Sequence, residues 1–236
     1  MSGLNGLNNK EDLTMKYIAS ITALLVLALT VPVFAAQSEI DRCVKNLEKQ
    51  YETMRDFHAD FQQETRLASI NRVEKGSGSI WFKKPGKMLW EYTAPQAQKI
   101  ILDGKNLWLY VPEDKQVMKN NFSTIPQHIV VDLFRGKVVI QEKFKVSFVQ
   151  EELKNSKKEI SLELAPLVFD PTVKKLTLWV DPEKFYILRT CLEDDFGTKT
   201  MLTFSNIAID KNIPDSTFAF SPPPGVEVFE PPQVKQ

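Results

Sequence analysis

The chain has 236 residues, with 30 Lys and Arg against 30 Asp and Glu, and 43% of its residues are apolar. This balanced charge excludes the dense basic surface that is typical of nucleic-acid-binding proteins. With only two Cys and two His, the sequence also excludes Cys-rich zinc sites and paired-His sites. We therefore expect no nucleic acid, no metal and no cofactor.

The N-terminal region has the pattern of a secretory signal. Met15-Lys16 begins it, an apolar run follows over residues 17–31, and cleavage after Ala35 fits the small residues there. We predict a signal peptide at 1–35, in which residues 1–14 are an N-terminal extension or an upstream start, so the true start codon stays open. An uncleaved anchor is the alternative, because the run is long enough to span a bilayer. Cys does not follow the cleavage site, so residues 36–236 are predicted to form one soluble domain without its own lipid anchor.

The mature chain begins with an amphipathic helix. Ser38 is a suitable N-cap, and acidic residues follow it in the first turn. Apolar residues then recur at helical spacing and form one stripe: Ile40, Cys43, Val44, Leu47, Tyr51 and Met54. The other side of the helix carries mixed charge, whereas a membrane-surface helix would be basic. We therefore predict that the stripe packs on a sheet of the same protein.

Short strands joined by tight turns follow the helix. The sequence predicts a half-buried strand over 57–65 and then a meander with strands over 78–83, 88–93, 98–103, 106–111 and 115–119. Three of the four Trp residues lie in the meander, whose strands are apolar at adjacent positions, as in Ile80-Trp81-Phe82 and Leu107-Trp108-Leu109. Adjacent strand residues face opposite sides, so both faces of this sheet must be covered by protein or by a ligand.

A short apolar helix interrupts the strands at residues 125–136. Pro126 begins it, Gly136 ends it, and Ile129 and Leu133 share one face. Such a helix suits a flap over an opening, and a helix that simply plugs the core is the alternative.

The second half is again rich in strands, predicted over 143–151, 159–164, 174–180, 186–192 and 198–206. The loop 165–171 contains Phe169 and is too apolar for free exposure, so we expect it to form a second edge of the same opening. Cys43 lies on the helical stripe, whereas strand alternation turns Cys191 outward. An oxidising compartment allows a disulfide between them, but the way the two residues face leaves it open.

The sequence contains no recognisable catalytic motif. A nucleophile elbow, a phosphate-binding Gly loop and a dinucleotide fingerprint are all absent. The acid pairs Glu151-Glu152 and Asp194-Asp195 are adjacent in sequence, so their side chains point apart in or beside a strand and do not form a two-carboxylate site. We predict a protein that is not an enzyme and that carries a hydrophobic ligand.

Two separated motifs resemble those of a known family. The first comprises Gly78, Trp81, Lys84-Pro85, Trp90, Tyr92, Pro95, Asp103-Gly104, Leu107-Trp108, Tyr110, Pro112 and Gln116-Val117. The second is the closing segment, with Phe218-Ala219-Phe220-Ser221-Pro222-Pro223 and Gly225-Val226-Glu227-Val228. In order and spacing they are similar to the LolA-like periplasmic carriers of outer-membrane lipoproteins, over essentially the whole mature chain.

The resemblance implies a mainly β fold with some α structure, in which an unclosed antiparallel half-barrel of about eleven strands and a lid of short helices enclose a hydrophobic cavity. It implies a monomeric periplasmic chaperone that shields the acyl chains of lipoproteins released from the inner membrane. The implied partners are an inner-membrane ABC transporter that loads it and an outer-membrane receptor that unloads it. At ~0.8 kcal/mol per methylene, exposing one acyl chain to water costs on the order of 12 kcal/mol, so the cargo needs such a cavity.

The resemblance also gives roles to two residues. Lys84 stands where the family usually has Arg, which is proposed to hydrogen-bond the lid and hold the empty cavity shut; Lys lacks the planar fork and makes a weaker latch. Met88 matches an apolar position implicated in docking to the transporter, with a flexible core filler as the alternative. The meander and flap arguments, independently of the family, select these residues to line the cavity and lid: Trp90, Trp108, Ile129, Leu133 and Phe169.

Two other functions stay open. The same shell could carry another amphiphile, such as a glycolipid or an aryl-lipid. A periplasmic stress regulator that binds a signalling protein shares the fold, but such proteins carry an additional C-terminal domain, whereas this sequence has eight residues after Val228.

Overall fold

The computed structural model describes residues 38–121, 139–154 and 157–230. The chain divides into two compact units, Met1–Arg42 and Cys43–Gln236. Of the first unit, the described residues 38–42 are helical. The predicted signal peptide at 1–35 and the predicted flap with Ile129 and Leu133 lie outside the described residues, so both stay predictions.

The first helix, α1, is described over residues 38–53. Within the second unit, its predicted stripe is almost completely buried: Cys43, Val44, Leu47, Tyr51 and Met54 are at most 3% exposed. The Tyr51 hydroxyl accepts a hydrogen bond of 3.2 Å from the backbone N–H of Ile187, and burial raises the pKa of that hydroxyl. The predicted packing of this helix on a sheet is confirmed.

Twelve strands are described, and their bounds are β1 Asp56–Leu67, β2 Arg72–Lys83, β3 Lys87–Ala94, β4 Gln98–Leu102, β5 Asn106–Val111, β6 Gln116–Asn121, β7 Phe144–Lys154, β8 Lys157–Pro166, β9 Lys175–Val180, β10 Ile187–Glu193, β11 Lys199–Ile209 and β12 Glu227–Phe229. A short helix, α2, spans Ile140–Lys143, and 3-10 turns lie at Ala68–Ile70 and Asp215–Phe218. In the described part of the chain, every helix is too short or too polar to cross a membrane.

All twelve strands belong to one open sheet. Its order is β12-β6-β5-β4-β3-β2-β1-β11-β10-β9-β8-β7, so β12 and β7 are the edges and the sheet does not close on itself. The neighbours pair antiparallel except β12 and β6, which are parallel. The predicted unclosed, mainly β fold is confirmed, with one strand more than expected.

The two faces of the sheet differ in what covers them. Paired residues of neighbouring strands share a face, and the pairs Phe57–Phe82, Ala59–Ile80 and Ile80–Trp90 define the side that we call the helix face. Phe61 on β1 and Leu178 on β9 also belong to it by register. Since α1 bonds to β10 through Tyr51 and its stripe is buried, α1 covers the helix face on that half of the sheet.

The C-terminal segment covers part of the other side, which we call the opposite face. The ring of Phe220 lies 5.6 Å from that of Trp108 and 5.5 Å from that of Tyr110, and the Phe218 side chain is buried. Asp215 accepts hydrogen bonds from Lys83 Nζ at 2.6 Å and Lys87 Nζ at 2.8 Å. The predicted cover is therefore present on the opposite face of this part of the meander.

Cys43 and Cys191 are not joined in a disulfide. Cys43 is buried in α1, and Cys191 is half-buried on the opposite face, where strand alternation predicted it. Burial raises the pKa of the Cys191 thiol above its ordinary value, so this thiol is less readily ionised than an exposed one.

Candidate ligand-binding site

An aromatic cluster occupies the middle of the helix face. The Phe61 ring centroid lies 5.0 Å from that of Trp90 and 5.0 Å from that of Tyr92, while the Trp90 and Tyr92 rings stack at 6.3 Å. Strand β1 supplies Phe61 and strand β3 supplies the other two, with β2 between them. These rings form an apolar floor that an extended hydrocarbon chain can contact along its length.

Two glycines of β2 make room for this floor. Gly78 pairs with Tyr92 across the β2–β3 ladder, and a Cβ placed on it would lie 1.9 Å from the Glu91 carbonyl oxygen. A Cβ on Gly76 would lie 3.3 Å from the Tyr92 ring. Only glycine permits the close approach of the two backbones at residue 78, and at residue 76 the Tyr92 ring packs against the glycine.

The apolar helix face is fully covered on one half of the sheet and partly open on the other. On β8 and β9, Leu162, Leu164, Leu176 and Leu178 are at most 2% exposed. On β3 to β6, Met88 and Leu102 of this face are buried as well, whereas the following residues are only half-buried: Trp90, Tyr92, Ile100, Leu107, Leu109 and Met118. Large apolar side chains left accessible together on one surface are typical of a site that binds an apolar partner.

A cavity of about 580 Å³ adjoins the aromatic cluster, and its lining includes Gln63, Gly76, Tyr92, Gln98 and Ile100. The Tyr92 hydroxyl donates a hydrogen bond of 2.8 Å to Gln63 Oε1, and Gln63 Nε2 donates one of 3.1 Å to Thr65. Burial raises the pKa of the Tyr92 hydroxyl, so it stays protonated and able to donate. The cavity is within the usual size range of small-molecule sites and has both apolar and polar walls.

A second cavity, of about 830 Å³, is larger and lies mostly on the other side of the sheet. Its lining is mostly on the opposite face and includes Glu64, Arg66, Lys199, Cys191 and Thr203. Charged side chains also lie in the wall of the smaller cavity, at Arg72, Glu74 and Lys75, so neither cavity is dry throughout. The smaller one is distinguished by the aromatic cluster beside it. The smaller cavity beside the aromatic rings is the better candidate site.

Trp108, which is also predicted to line the cavity, lies on the opposite face of the sheet from Trp90. Trp90 pairs with Ile100, which pairs with Leu109, so the neighbouring Trp108 points to the opposite face. Its indole Nε1 donates a hydrogen bond of 2.8 Å to Asp103 Oδ2, and its ring packs on Phe220.

Asp103 organises the turn that precedes Trp108. Burial alone would raise the pKa of its carboxyl, but hydrogen bonds from the backbone and side chain of Asn106, from Trp108 and from the backbone of Lys105 outweigh burial and hold it at about 2. The Asp103–Trp108 pair is therefore a structural contact of the β4–β5 turn.

Lys84 fastens α1 to the sheet. Its Nζ donates a hydrogen bond of 2.7 Å to the backbone carbonyl of Tyr51 and a second one to that of Glu52, both in the last turn of α1. A cation at a helix C-terminus interacts favourably with the helix dipole and with carbonyls that lack a partner within the helix. Burial lowers the pKa of the Lys84 ammonium, and the nearby Glu52 and Asp210 carboxylates partly offset that effect.

Comparison with known protein families gives a match that is consistent with the open sheet and its apolar face. The family model described as "Outer membrane lipoprotein carrier protein LolA" matches residues 52–221.

The chain belongs to the LolA family.

Curated relatives support this assignment over most of the chain. The outer-membrane lipoprotein carrier protein of Chromohalobacter salexigens is 28% identical over 215 residues, which cover 91% of this chain and 96% of the relative. That of Chromobacterium violaceum is 31% identical over 173 residues, covering 72% and 79% respectively. An uncharacterized conserved protein from Thermus thermophilus has a similar structure, with a TM-score of 0.55 at 12% identity, over 81% of this chain and 98% of that one.

Two further residues with predicted roles in this LolA-family chain lie away from the aromatic cluster. Met88 is on the helix face, pairs with Phe82 and Leu102, and is 7% exposed. Phe169 lies in the loop between β8 and β9, is 80% exposed, and lines neither of the two cavities above. The expectation that this loop avoids free exposure is wrong.

The site also contains residues that the sequence reasoning did not select. Phe61 and Tyr92 form the cluster with Trp90, and Gln63 binds the Tyr92 hydroxyl. The alternation of Phe57, Ala59 and Phe61 predicts that they share one face of β1. Only the register of β1 with β2, and of β2 with β3, shows that Phe61 contacts Trp90. In the described ranges, no group of three or more His, Cys, Asp or Glu side chains is placed to hold a metal ion.

Proposed function

We propose that this LolA-family protein is a periplasmic chaperone that receives lipoproteins released from the inner membrane, shields their acyl chains and delivers them to the outer membrane. The observation that carries the proposal is the half-open apolar surface of β3 to β6 around Trp90. Relatives over most of the chain are named outer-membrane lipoprotein carrier proteins, which gives the cargo class. The protein acts without catalysis, as a monomer, after removal of the signal peptide 1–35.

The proposed ligand contacts follow the helix face. Trp90 forms the floor, and Ile129 and Leu133 of the flap cover the chains from above. Phe169, exposed at the end of β8, contacts the ligand as it arrives. A partly hydrated surface suits a carrier. A ligand bound in a fully dehydrated cavity would be held too tightly to be passed on to the next protein.

The proposed partners are an inner-membrane ABC transporter that loads the protein and an outer-membrane receptor that unloads it. Met88 takes part in docking to the transporter, and since it is buried between Phe82 and Leu102 in this state, docking requires the helix face to open.

Lys84 is proposed as the latch of the closed state, acting through the C-terminus of α1. Lys84→Leu should leave loading intact and impair transfer to the receptor. Unchanged transfer by this variant would show that the Lys84 side chain is not the latch.

The cargo can be identified directly. The protein is isolated from the periplasm of its own cells, and the bound molecules are determined by mass spectrometry of the intact complex. Acylated proteins are the expected result. Finding only free glycolipid or aryl-lipid would refute the lipoprotein assignment while leaving the carrier fold intact.

Binding in solution can be followed through tryptophan fluorescence. All four Trp residues lie in the described part of the chain, and Trp90 is the one on the helix face, whereas Trp81, Trp108 and Trp179 are on the opposite face. A diacylated lipopeptide should change the fluorescence of the wild type and of Trp108→Phe equally, and this change should be lost in Trp90→Phe. A response that depends on Trp108 would place the ligand on the opposite face.

A further inference from the structure

Several large apolar side chains are exposed at the end of the sheet where β1 and β2 are joined. The β1–β2 turn, the β8–β9 loop and the β10–β11 turn all lie at this end, because Arg66 pairs with Lys199, and Glu193 pairs with both Lys199 and Lys175. The most exposed apolar residues of these three connections are Ile70 at 63%, Val168 at 79%, Phe169 at 80% and Phe196 at 78%. We name these four residues the tip cluster.

The turns at the other end of the sheet are polar. Among the described residues, the turns at 84–86, 103–105 and 181–186 expose no large apolar side chain. Single apolar residues scattered over a surface need no explanation, but their concentration at one end of a protein marks an interaction surface.

Contacts between the three connections place the tip cluster on one continuous surface. The Asp195 N–H donates a hydrogen bond of 3.2 Å to the Pro171 carbonyl, which joins the β10–β11 turn to the β8–β9 loop. The β10–β11 turn also meets the β1–β2 turn, where a Cβ placed on Gly197 would lie 3.3 Å from the Ala68 Cβ. Phe196 therefore lies in the middle of the tip cluster.

Two acidic side chains of these connections bind their own backbone. Asp194 Oδ1 accepts hydrogen bonds from the backbone N–H groups of Phe196 at 2.9 Å and Thr198 at 2.8 Å. Asp170 Oδ1 accepts hydrogen bonds from the N–H of Thr172 at 2.8 Å and from its hydroxyl at 2.6 Å. These bonds hold the two turns in shape, so the neighbouring apolar side chains are presented to the outside by ordered backbone.

We propose that the tip cluster docks this end of the sheet on the surface of a lipid bilayer, with its four side chains inserted among the headgroups. A bilayer surface deforms around separate side chains and takes up apolar groups to a depth of about 5–10 Å. A protein partner would need a separate pocket for each turn, because the four residues stand on three connections and line neither of the two cavities described above. The inference goes beyond the proposed function, because docking needs no bound cargo.

The charges beside the tip cluster indicate which lipids it binds. On the strands that flank the β1–β2 turn, Arg66 pairs with Glu64 at 2.8 Å and Arg72 pairs with Glu74 at 3.2 Å. Cations held in such pairs add little to the attraction of anionic lipid. We therefore expect insertion of the apolar side chains to dominate, so that zwitterionic bilayers are bound and salt has little effect.

The candidate ligand site reaches the same end of the sheet as the tip cluster. The cavity of about 580 Å³ is lined in part by Arg72 and Val73, which follow the β1–β2 turn, and by Pro95 and Gln96 of the β3–β4 turn. A bilayer in contact with Ile70 would therefore lie beside this cavity. An acyl chain that moves between the two would then cross little water, which favours a lipid surface as the occupant of this end.

The first test measures binding of the protein, isolated from the periplasm of its own cells, to vesicles of phosphatidylcholine by flotation in a density gradient. The variant with both Phe169→Ser and Phe196→Ser should bind about tenfold or more weakly than the wild type, because two apolar side chains no longer enter the lipid. Phe229→Ser is the matched control and should bind like the wild type, since Phe229 is an exposed phenylalanine on the edge strand β12.

Three results of this test would overturn the proposal. The wild type could fail to float with the vesicles, or the double variant could bind them as well as the wild type does. If the wild type does not bind vesicles but the double variant loses transfer to an outer-membrane receptor, the tip cluster is an interface for a protein. Vesicle binding that depends on the tip cluster supports docking even if no acylated protein is ever found as cargo.

The second test determines which end of the sheet meets the bilayer. Phe196→Trp adds a tryptophan to the tip cluster, and Lys105→Trp adds one to the exposed β4–β5 turn at the other end. Phosphatidylcholine brominated on its acyl chains quenches tryptophan at short range, and the wild type gives the background from its four native Trp residues. Quenching of the added tryptophan in Phe196→Trp, with none in Lys105→Trp, supports the proposed docking. Equal quenching in both variants, or quenching only in Lys105→Trp, overturns it.

Discussion

Removing the Lys84 ammonium should loosen α1 without unfolding the sheet. In Lys84→Leu, the carbonyls of Tyr51 and Glu52 at the end of α1 lose their donor. A hydrogen bond from a charged group contributes ~1.5–3 kcal/mol, and a cation at a helix C-terminus ~0.3–1 kcal/mol when exposed. Burial lowers the pKa of Lys84, so desolvation of the ammonium offsets part of this gain, and the Glu52 carbonyl is exposed. We therefore expect a net loss of about 1–2 kcal/mol.

Hydrogen exchange measured by mass spectrometry checks this magnitude locally. Because about 1.4 kcal/mol corresponds to a factor of ten in an equilibrium constant, amides of α1 over residues 43–53 should exchange roughly tenfold faster in Lys84→Leu. Amides of β8 and β9 should change little if the opening is local. Lys84→Arg keeps a donor and should exchange like the wild type, and Lys105→Met, at an exposed turn, controls for loss of one positive charge. Equal protection of α1 in Lys84→Leu and the wild type would refute the reasoning.

Three further changes test the sheet. Gly78→Ala should lower the free energy of unfolding, measured in urea, by about 2–3 kcal/mol, because the new Cβ meets the Glu91 backbone. Gly76→Ala should lower it clearly less, because its Cβ meets mainly the edge of the Tyr92 ring. Equal effects of the two variants would contradict this reasoning. Glu159→Gln should lower the free energy of unfolding by about 3 kcal/mol, because it removes the buried carboxylate that accepts hydrogen bonds from the Arg189 guanidinium, and a melting temperature close to that of the wild type would contradict it. The pKa of Asp103 is lowered to about 2, so its contribution to stability is complete above about pH 4 and is lost as the pH falls toward 2. The difference in urea stability between the wild type and Asp103→Asn should therefore be constant above about pH 4 and shrink below it, and a difference that grows on acidification would contradict the assignment.

The strands of this protein were predictable because tight turns separate short β-branched and aromatic runs. Each predicted strand is present within a few residues, and the helical spacing from Cys43 to Met54 identified the buried side of α1. Strand β12 was not predicted, because it is three residues long and pairs in parallel with β6, more than a hundred residues earlier. A short strand without a hairpin partner leaves no local pattern in the sequence.

The candidate site was less predictable than the fold. Alternation shows that Trp108 and its neighbours face opposite sides but does not say which side a ligand uses. The distinction depends on what covers each side of the sheet. The side that carries Trp108 is covered by Phe220, which comes from the far end of the chain. Phe61 joins Trp90 only because β1, β2 and β3 pair in a particular register. Contacts of this kind between strands depend on the whole sheet, so no single stretch of sequence contains them.

The open half of the helix face follows from two competing requirements on one surface. A core as closely packed as that under α1, where Leu162 and Leu178 are almost inaccessible, has no space for a ligand. On β3 to β6, several apolar residues of the same face stay half-exposed, among them Trp90, Ile100 and Leu109. These side chains leave apolar surface accessible to water, which an acyl chain would cover under the proposed function. In the proposed carrier, binding is favourable because the acyl chain covers this surface, and release requires a receptor that offers the chain a comparable surface.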